Sequence, residues 1–407
     1  MTFTYKIGIS AQEHDQFVQN SGQTNLLQSS KWAHIKDNWD NERIGFYEDG
    51  KMVASASILI KRLPLGFTMF YIPRGPILDY QNPELVNYVM YSLKQYGRKR
   101  RAVFIKFDPA LLLRQYQITD SSKELPEDQE SLTAIKNLQK SSCLWSGRTI
   151  QISDSIQPRF QANIYTQAEQ ESSFPKHTKR LMKDASNRGV KTYRGSIEDV
   201  PAFASVIALT EHRKGVSLRN QAYFLKLMET YKDDAYLHLA TVNLPNQLSE
   251  YQKQLADIQI ELSKTAAHQK KRLTKLHQQK DSIEKYISEF ELFTQDYPDE
   301  VVIAGILSIS FGNTMEMLYA GMNDAFKKFY PQYLLYPKVF EDAYQNGIIW
   351  ANMGGIEGTL DDGLTKFKSN FNPTIEEYIG EFTLPVSSLY HLADKAYQLR
   401  KKQRRNK

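Results

Sequence analysis

The stretch that most restricts this chain is an interruption. Leu239 to Leu244 reads as the end of a strand, and strand-like sequence resumes only at Val301. Between them, from Leu248 onward, lies a charged stretch of about fifty residues without a glycine. Leu248, Tyr251, Leu255, Ile258 and Leu262 step by three and four, the seam of a coiled coil. A second seam runs through Leu273, Leu276, Ile283, Ile287 and Phe290, with Lys280 as a flaw. The weaker stretch Thr265 to Gln269 is the expected reversal. Two helices of about 20 residues, each roughly 30 Å long at a rise of about 1.5 Å per residue, then form an antiparallel hairpin. Its tip carries Lys264, His268, Lys270, Lys271, Arg272 and Lys275, while the acidic residues sit mostly nearer the base. A basic tip on a stiff lever suits a phosphate backbone. A dimerisation hairpin is the competing reading of the same pattern.

The sequence on either side of this arm follows one plan, stated twice. In the first part FTYKIGI is a short strand and Gln28 to Trp39 is helical, with Ser29 or Ser30 as cap. Arg43 to Lys61 is two strands joined at Glu48-Asp49-Gly50. Met69 to Ile72 is a strand leading into the loop PRGPILDY, Pro83 to Tyr96 an amphipathic helix, and AVFIKFDP a strand that stops at Pro109. In the second part Ala235 to Leu244, Val301 to Phe311 and Met315 to Gly321 are strands. A helix from about Pro331 to Asn346 and the strand IIWANMGG follow. Strand, turn, strand, helix, strand recurs in hydrophobic pattern, and the arm falls where the first copy has only its EDG turn. Two similar α/β (α+β) domains are expected: 1–147, then 148–244 with 299–397, the arm occupying 245–298 and a basic tail 398–407.

With 407 residues there is enough chain for two domains and an extra element. One cysteine, Cys143, cannot form an internal disulfide, so a reducing, cytoplasmic setting is expected. The N-terminus lacks the basic and apolar blocks of a signal peptide, and no run approaches the roughly 18 apolar residues of a spanning helix. Net charge is only +6, but the positive charge is clumped at Arg98–Arg101, Lys176–Arg194, Lys264–Lys275 and Arg400–Lys407. Such clumps suit nucleic acid, a pyrophosphate lipid or an anionic membrane face, against the plain reading of solvated surface.

Several strings, in order, carry a resemblance over nearly the whole chain: LLQSSKWAHIK, FYIPRGPILDY, KFDP, KHTKRLMKDASNRGVKTYRG, TEHRKGVSLRNQAYF, YAGMNDAFKKFYPQYLLY and NMGGIEGTLDDGLTKFKSNFNPTIEEYIGEF. The sequence resembles the Fem (FemABX) family of peptidoglycan interpeptide-bridge aminoacyltransferases, and within it the streptococcal MurM and MurN branch. The resemblance implies two acetyltransferase-like (GNAT) domains with a coiled-coil arm in the second. It implies transfer of an amino acid, alanine or serine, from aminoacyl-tRNA to the Lys side-chain amine of the lipid II stem peptide. Implied partners are alanyl- or seryl-tRNA, lipid II and the cytoplasmic membrane face, contacted peripherally, with the arm tip on tRNA.

That chemistry is attack of an amine on an activated ester. An ammonium of ordinary pKa near 10.4 must first lose a proton, and the carbonyl oxygen needs a donor as it gathers charge. No metal or cofactor is required, and no spaced Cys/His cluster is present. Lys36, one turn after Trp32, reads alone as a solvated helix position; the resemblance makes it the pyrophosphate-binding lysine. Arg213 in T-E-H-R-K matches the corresponding arginine, with Arg219 as its rival. Asp108, before Pro109, is a turn-former by residue type and a candidate for proton handling by resemblance, a role that a phosphate or sugar hydroxyl of the tRNA fills equally well. Lys368 in F-K-S-N-F resembles the lysine beside the substrate carbonyl, where losing an oxyanion donor costs roughly 3 kcal/mol; Phe367 would wall the acyl site. Arg74 in PRGP and Tyr319 are further substrate-binding candidates, against core packing for the tyrosine. Two rivals stand beside this reading. An acetyl-CoA enzyme would carry a Q/R-x-x-G-x-G/A loop, which is not found after a strand. A non-catalytic RNA-binding coiled-coil protein would leave Lys36 and Lys368 without a role, and no RRM or KH motif supports it.

Overall fold

The computed structural model describes residues 2–120, 125–214, 219–392 and 394–395, the side chains of 212–214 excepted. In chain order its strands are β1 (Phe3–Ile7), β2 (Asp40–Glu48), β3 (Lys51–Arg62), β4 (Thr68–Arg74), β5 (Ile77–Leu78), β6 (Ala102–Pro109), β7 (Leu112–Gln117) and β8 (Leu144–Trp145). There follow β9 (Phe160–Tyr165), β10 (Lys191–Gly195), β11 (Ala235–Asn243), β12 (Glu300–Phe311), β13 (Thr314–Met322), β14 (Trp350–Ile356), β15 (Thr374–Tyr378) and β16 (Phe382–Pro385). They form two sheets, β1-β2-β3-β4-β6-β16-β8 with β5 on β3, and β10-β11-β12-β13-β14-β9-β15-β7.

The first five positions of each sheet repeat one pattern. The strands run antiparallel until the last pair, β4 with β6 and β13 with β14, which is parallel. A helix makes each parallel crossover, Pro83–Lys99 in the first and Gln332–Gln345 in the second. The first of these starts where the sequence says it must. The Asn82 side chain accepts from the Glu84 and Leu85 N–H groups, and Pro83 takes the first helical position, where its missing N–H costs nothing. Leu85, Val86, Val89, Met90 and Leu93 then bury one face against the sheet.

The turn between β2 and β3 is Asp49-Gly50, both at positive φ (48° and 84°), as a tight two-residue hairpin requires. At the matching point β11 runs into a helix, Leu244–Lys264, which reverses through 265–269 into Lys270–Asp296 before β12 begins. The root of this arm is fastened to the body. Tyr251 packs on Tyr286 and Phe290, Phe290 packs on Phe329, and the Tyr251 hydroxyl donates to the Asn187 carbonyl at 2.6 Å. Arg188 pairs with Glu289 at 3.0 Å.

Two features depart from the sequence reading. The helix expected over Gln28 to Trp39 is only Ser30–Ile35, capped by Ser29, with Lys36 closing it. Asp37 and Asn38 favour a turn over a further helical residue, and the Trp39 N–H folds back to the Lys36 carbonyl at 2.9 Å. The cut expected after residue 147 also does not separate the sheets. β7, from the first part, pairs with β15 at the edge of the second sheet, while β16 returns to lie between β6 and β8 of the first. A shared apolar core reinforces this exchange: Leu26, Leu27, Trp32 and Ile35 pack with Phe203, Phe224, Leu227 and Leu307. Among the described residues no helix is long and apolar enough to cross a membrane.

Candidate functional site

The seam between the halves collects polar groups that a packed interior normally avoids. On the first-half side lies Asp108, at the end of β6, whose two oxygens accept from the Arg74 backbone N–H at 2.6 Å and the Tyr71 hydroxyl at 2.7 Å. Burial pushes its carboxyl up to about 6; the nearby Arg74 guanidinium and these two hydrogen bonds hold it from rising further. Arg74 does not stand on an open loop. It is 1% exposed, at φ 51°, with its guanidinium 4.0 Å from the centre of the Tyr378 ring and donating to the Pro158 carbonyl at 2.9 Å. It is therefore a strut between the halves.

From the second half, β13 presents Glu316. Asn25 of the first half donates to one of its oxygens at 3.3 Å and Asn352 on β14 to the other at 2.7 Å. Desolvation pushes this half-buried carboxyl up to about 7, opposed by the Arg74 charge and the Asn352 hydrogen bond. Opposite Asn352, on β9, Asn163 is fully buried with no partner for either end of its amide among the described residues.

Asn352 links onward to the lysine. Its side-chain oxygen accepts from the Gly354 N–H at 2.7 Å, and Lys368 donates its ammonium to the Gly354 and Gly355 carbonyls, both at 2.8 Å. Gly354 sits at φ +87°, a conformation that a side chain strains. Lys368 itself is 4% exposed at the end of the short helix Gly363–Lys368. Its neighbour Phe367 is half-buried against Tyr333, Tyr336 and Phe371, forming an aromatic wall.

A second cluster lies on the same face of β13. A register shift opposite Leu307 and Ser308 inserts one extra residue, so Tyr319 emerges on the side of Glu316 rather than behind it. Its ring meets Tyr223 at 5.9 Å and Phe224 at 5.1 Å. Tyr223 accepts a 3.4 Å hydrogen bond from Lys36, whose ammonium also lies 4.2 Å from the centre of a Trp32 ring. Burial pulls the Lys36 amine down to about 8, and the positive charge of Arg219 adds to the shift. The one acid that opposes it, Asp37, is itself bonded to Lys226 at 2.8 Å. Two cations thus act on one another, and among the described residues no acid is paired with either, an arrangement that a bound anion relieves. Arg219, the rival candidate, is close enough to Lys36 to act on its charge, while the side chain of Arg213, in the last turn of Val200–Lys214, lies outside the described residues. The tip residues Lys264, Lys270, Lys271, Arg272 and Lys275 are exposed at the far end of the arm, with Arg272 paired to Glu261 at 2.7 Å.

Reasoning from residue types alone missed Glu316, Asn352, Asn163 and Tyr223. The available signal was a lone carboxylate in the apolar strand TMEMLYAGM, and an asparagine just before a glycine pair. Among the described residues no group of His, Cys, Asp and Glu is placed to hold a metal ion.

Comparison with known proteins gives a consistent result. A protein-family model described as the FemAB family matches residues 9–398. The lipid II:glycine glycyltransferase of Staphylococcus epidermidis is 27% identical over 410 residues, covering 96% of this chain and 95% of that protein. The enzyme of the same description from Staphylococcus aureus is 26% identical over 416 residues, with the same coverage. A crystal structure of FemX superposes with a TM-score of 0.75 at 25% identity, over 96% of this chain and 99% of the other. The chain belongs to the FemAB family.

Proposed function

We propose that this protein is an aminoacyltransferase that moves alanine or serine from aminoacyl-tRNA to the Lys side-chain amine of the lipid II stem peptide, building the peptidoglycan cross-bridge. The observation that carries the reading is the polar run from Asp108 through Arg74, Glu316 and Asn352 to Lys368, flanked by the Lys36–Arg219 cation pair. It supplies in one seam what amide formation from an ester needs. The cation pair grips the lipid diphosphate. A carboxylate takes the proton that the acceptor ammonium must lose. Glu316 suits that task better than Asp108, because its side chain keeps some exposure and its value near 7 lies close to neutral pH, whereas Asp108 is sealed. The freed amine attacks the ester carbonyl, the C–N bond forms, and Lys368 meets the charge gathering on the carbonyl oxygen. Collapse breaks the bond to the ribose oxygen, which leaves with the second proton shed by the attacking nitrogen. Phe367 and its aromatic neighbours wall the acyl group, and the basic arm tip holds the tRNA body away from the seam.

The donor amino acid is the open choice, since the MurM and MurN resemblance favours alanine or serine while the staphylococcal relatives are glycyltransferases. Purified protein given lipid II and radiolabelled alanyl-, seryl- or glycyl-tRNA is expected to move label into the lipid fraction from alanyl- or seryl-tRNA. Label from glycyl-tRNA alone would change the donor. Background incorporation from every tRNA would reject the enzyme assignment.

A further inference from the structure

The hairpin between β3 and β4 has a feature that neither folding nor the chemistry above explains. Its turn is Leu63-Pro64-Leu65-Gly66-Phe67, and Leu65 at the tip is 85% exposed, the highest value for any large apolar side chain among the described residues. Leu65 also holds φ 59°, ψ 23°, a left-handed conformation in which its Cβ crowds the backbone. Folding gains nothing from a leucine that is strained and wet. Yet the tip is held in shape. Arg101 donates to the Leu65 carbonyl at 3.2 Å, its guanidinium lies 5.0 Å from the Phe67 ring centre, and the Leu63 N–H bonds to the Phe67 carbonyl at 2.8 Å.

Cations surround this tip. Lys61 and Arg62 precede it on β3, and Arg101 reaches it from just beyond the helix Pro83–Lys99, whose last turn carries Arg98 and Lys99; all five are exposed. Of the acids on this side, Asp40 is paired with Arg62 at 3.0 Å and Asp394 lies beside Tyr390. Trp39 lies under Lys61, whose ammonium is 5.5 Å from its ring centre. Trp39, Leu63 and Phe67 share a small apolar cluster with Tyr390, next to which Leu389 and Leu392 are 40% and 70% exposed. Exposed leucines with aromatic rings at their rim and a ring of Lys and Arg match the layers of an anionic bilayer surface. The leucines enter the acyl boundary, the rings sit at headgroup height, and the cations meet lipid phosphates.

We propose that this edge of the first sheet, centred on Leu65, docks the protein on an anionic lipid bilayer. For its link to catalysis the proposal rests on the function given above. Trp39 bonds back to the Lys36 carbonyl, so the cation assigned to the lipid diphosphate stands one turn along the chain from the docking edge.

The test uses the full chain without tRNA or acceptor, sedimented with phosphatidylcholine vesicles that contain or lack phosphatidylglycerol. Wild type is expected to bind the anionic vesicles, Leu65→Glu about tenfold more weakly, and Lys61→Glu with Arg62→Glu at least fivefold more weakly, with a reduced salt dependence. Leu65→Glu is also expected to keep its melting temperature and its transfer to a water-soluble acceptor bearing the same stem peptide and diphosphate. Absence of wild-type binding, or equal binding by wild type and Leu65→Glu, overturns the proposal. So does a wild-type dimer that Leu65→Glu converts to monomer, because the edge then serves a second copy. Leu65-dependent vesicle binding by a protein that transfers nothing to lipid II overturns the proposed function and leaves the docking edge standing.

Discussion

The two halves share a frame and differ at two points. Where β2 turns into β3 through Asp49-Gly50, β11 leaves for the whole arm before β12 returns. The paired strands already hold the ends of the insertion together, so lengthening the connection costs little entropy. The second difference lies in the parallel pairs. β4 stays with β6 from Thr68 to Arg74, but β13 stays with β14 only from Thr314 to Glu316 and then diverges. Glu316 and Asn352 stand where that pairing ends, and the polar run to Lys368 begins there. The repeated frame is the scaffold; the places where one copy departs from it hold the candidate chemistry and the candidate lever.

The largest effect that can test this contrast is at Lys368. Lys368→Ala is expected to lower kcat about 100- to 1,000-fold with acceptor affinity kept, the loss typical of a missing oxyanion donor. A fall in melting temperature with little change in kcat would instead make Lys368 a clamp on the Gly354 and Gly355 carbonyls. Next comes Glu316. As pH rises, kcat/KM should climb as its carboxyl loses a proton near 7 and fall as the Lys36 ammonium does so near 8. Glu316→Gln should remove the acid limb and about 100-fold of rate, while Lys36→Arg should carry the alkaline limb upward. An unchanged acid limb would return the proton to Asp108 or the tRNA. Stability follows the same carboxyl. Its folded value is raised, so its contribution is complete below the unfolded value of 4.5 and lost as pH rises through about 7. Glu316→Gln should flatten that part of a melting-temperature profile. The smallest effect is at the arm. Lys264→Ala with Lys270→Ala, Lys271→Ala and Lys275→Ala should weaken tRNA binding severalfold, and the salt slope should fall by about one for each phosphate no longer neutralised. Full tRNA affinity in that variant, with loss of a dimer, would give the arm to self-association.

How much of this is legible in the sequence depends on the range of the interactions involved. The repeated strands and the arm helices are written in local periodicity, which one sequence carries openly. The exchange of β7 and β16 is not, because Leu112–Gln117 finds its partner in Thr374–Tyr378, far along the chain, and no turn signal joins them. Lys36, Asp108 and Lys368 stand out through motifs. Glu316 does not, since one carboxylate in a strand reads as its wet face until Asn25 of the first half and Asn352 of the neighbouring strand bond to it at the seam. Arg74 misleads for a similar reason: PRGP looks like a surface loop, and only the Tyr378 ring and the Pro158 carbonyl show why an arginine is sealed there.

The exchanged strands limit how the molecule can move. β16 joins β6 to β8, and β7 closes the far margin of the other sheet, so each half is laced through its neighbour. Swinging the halves apart would mean unzipping backbone ladders, an event on the scale of unfolding rather than of a hinge. A tRNA, the bulky donor proposed above, must then be admitted and released by side chains and loops at the margins, with the frame itself standing still.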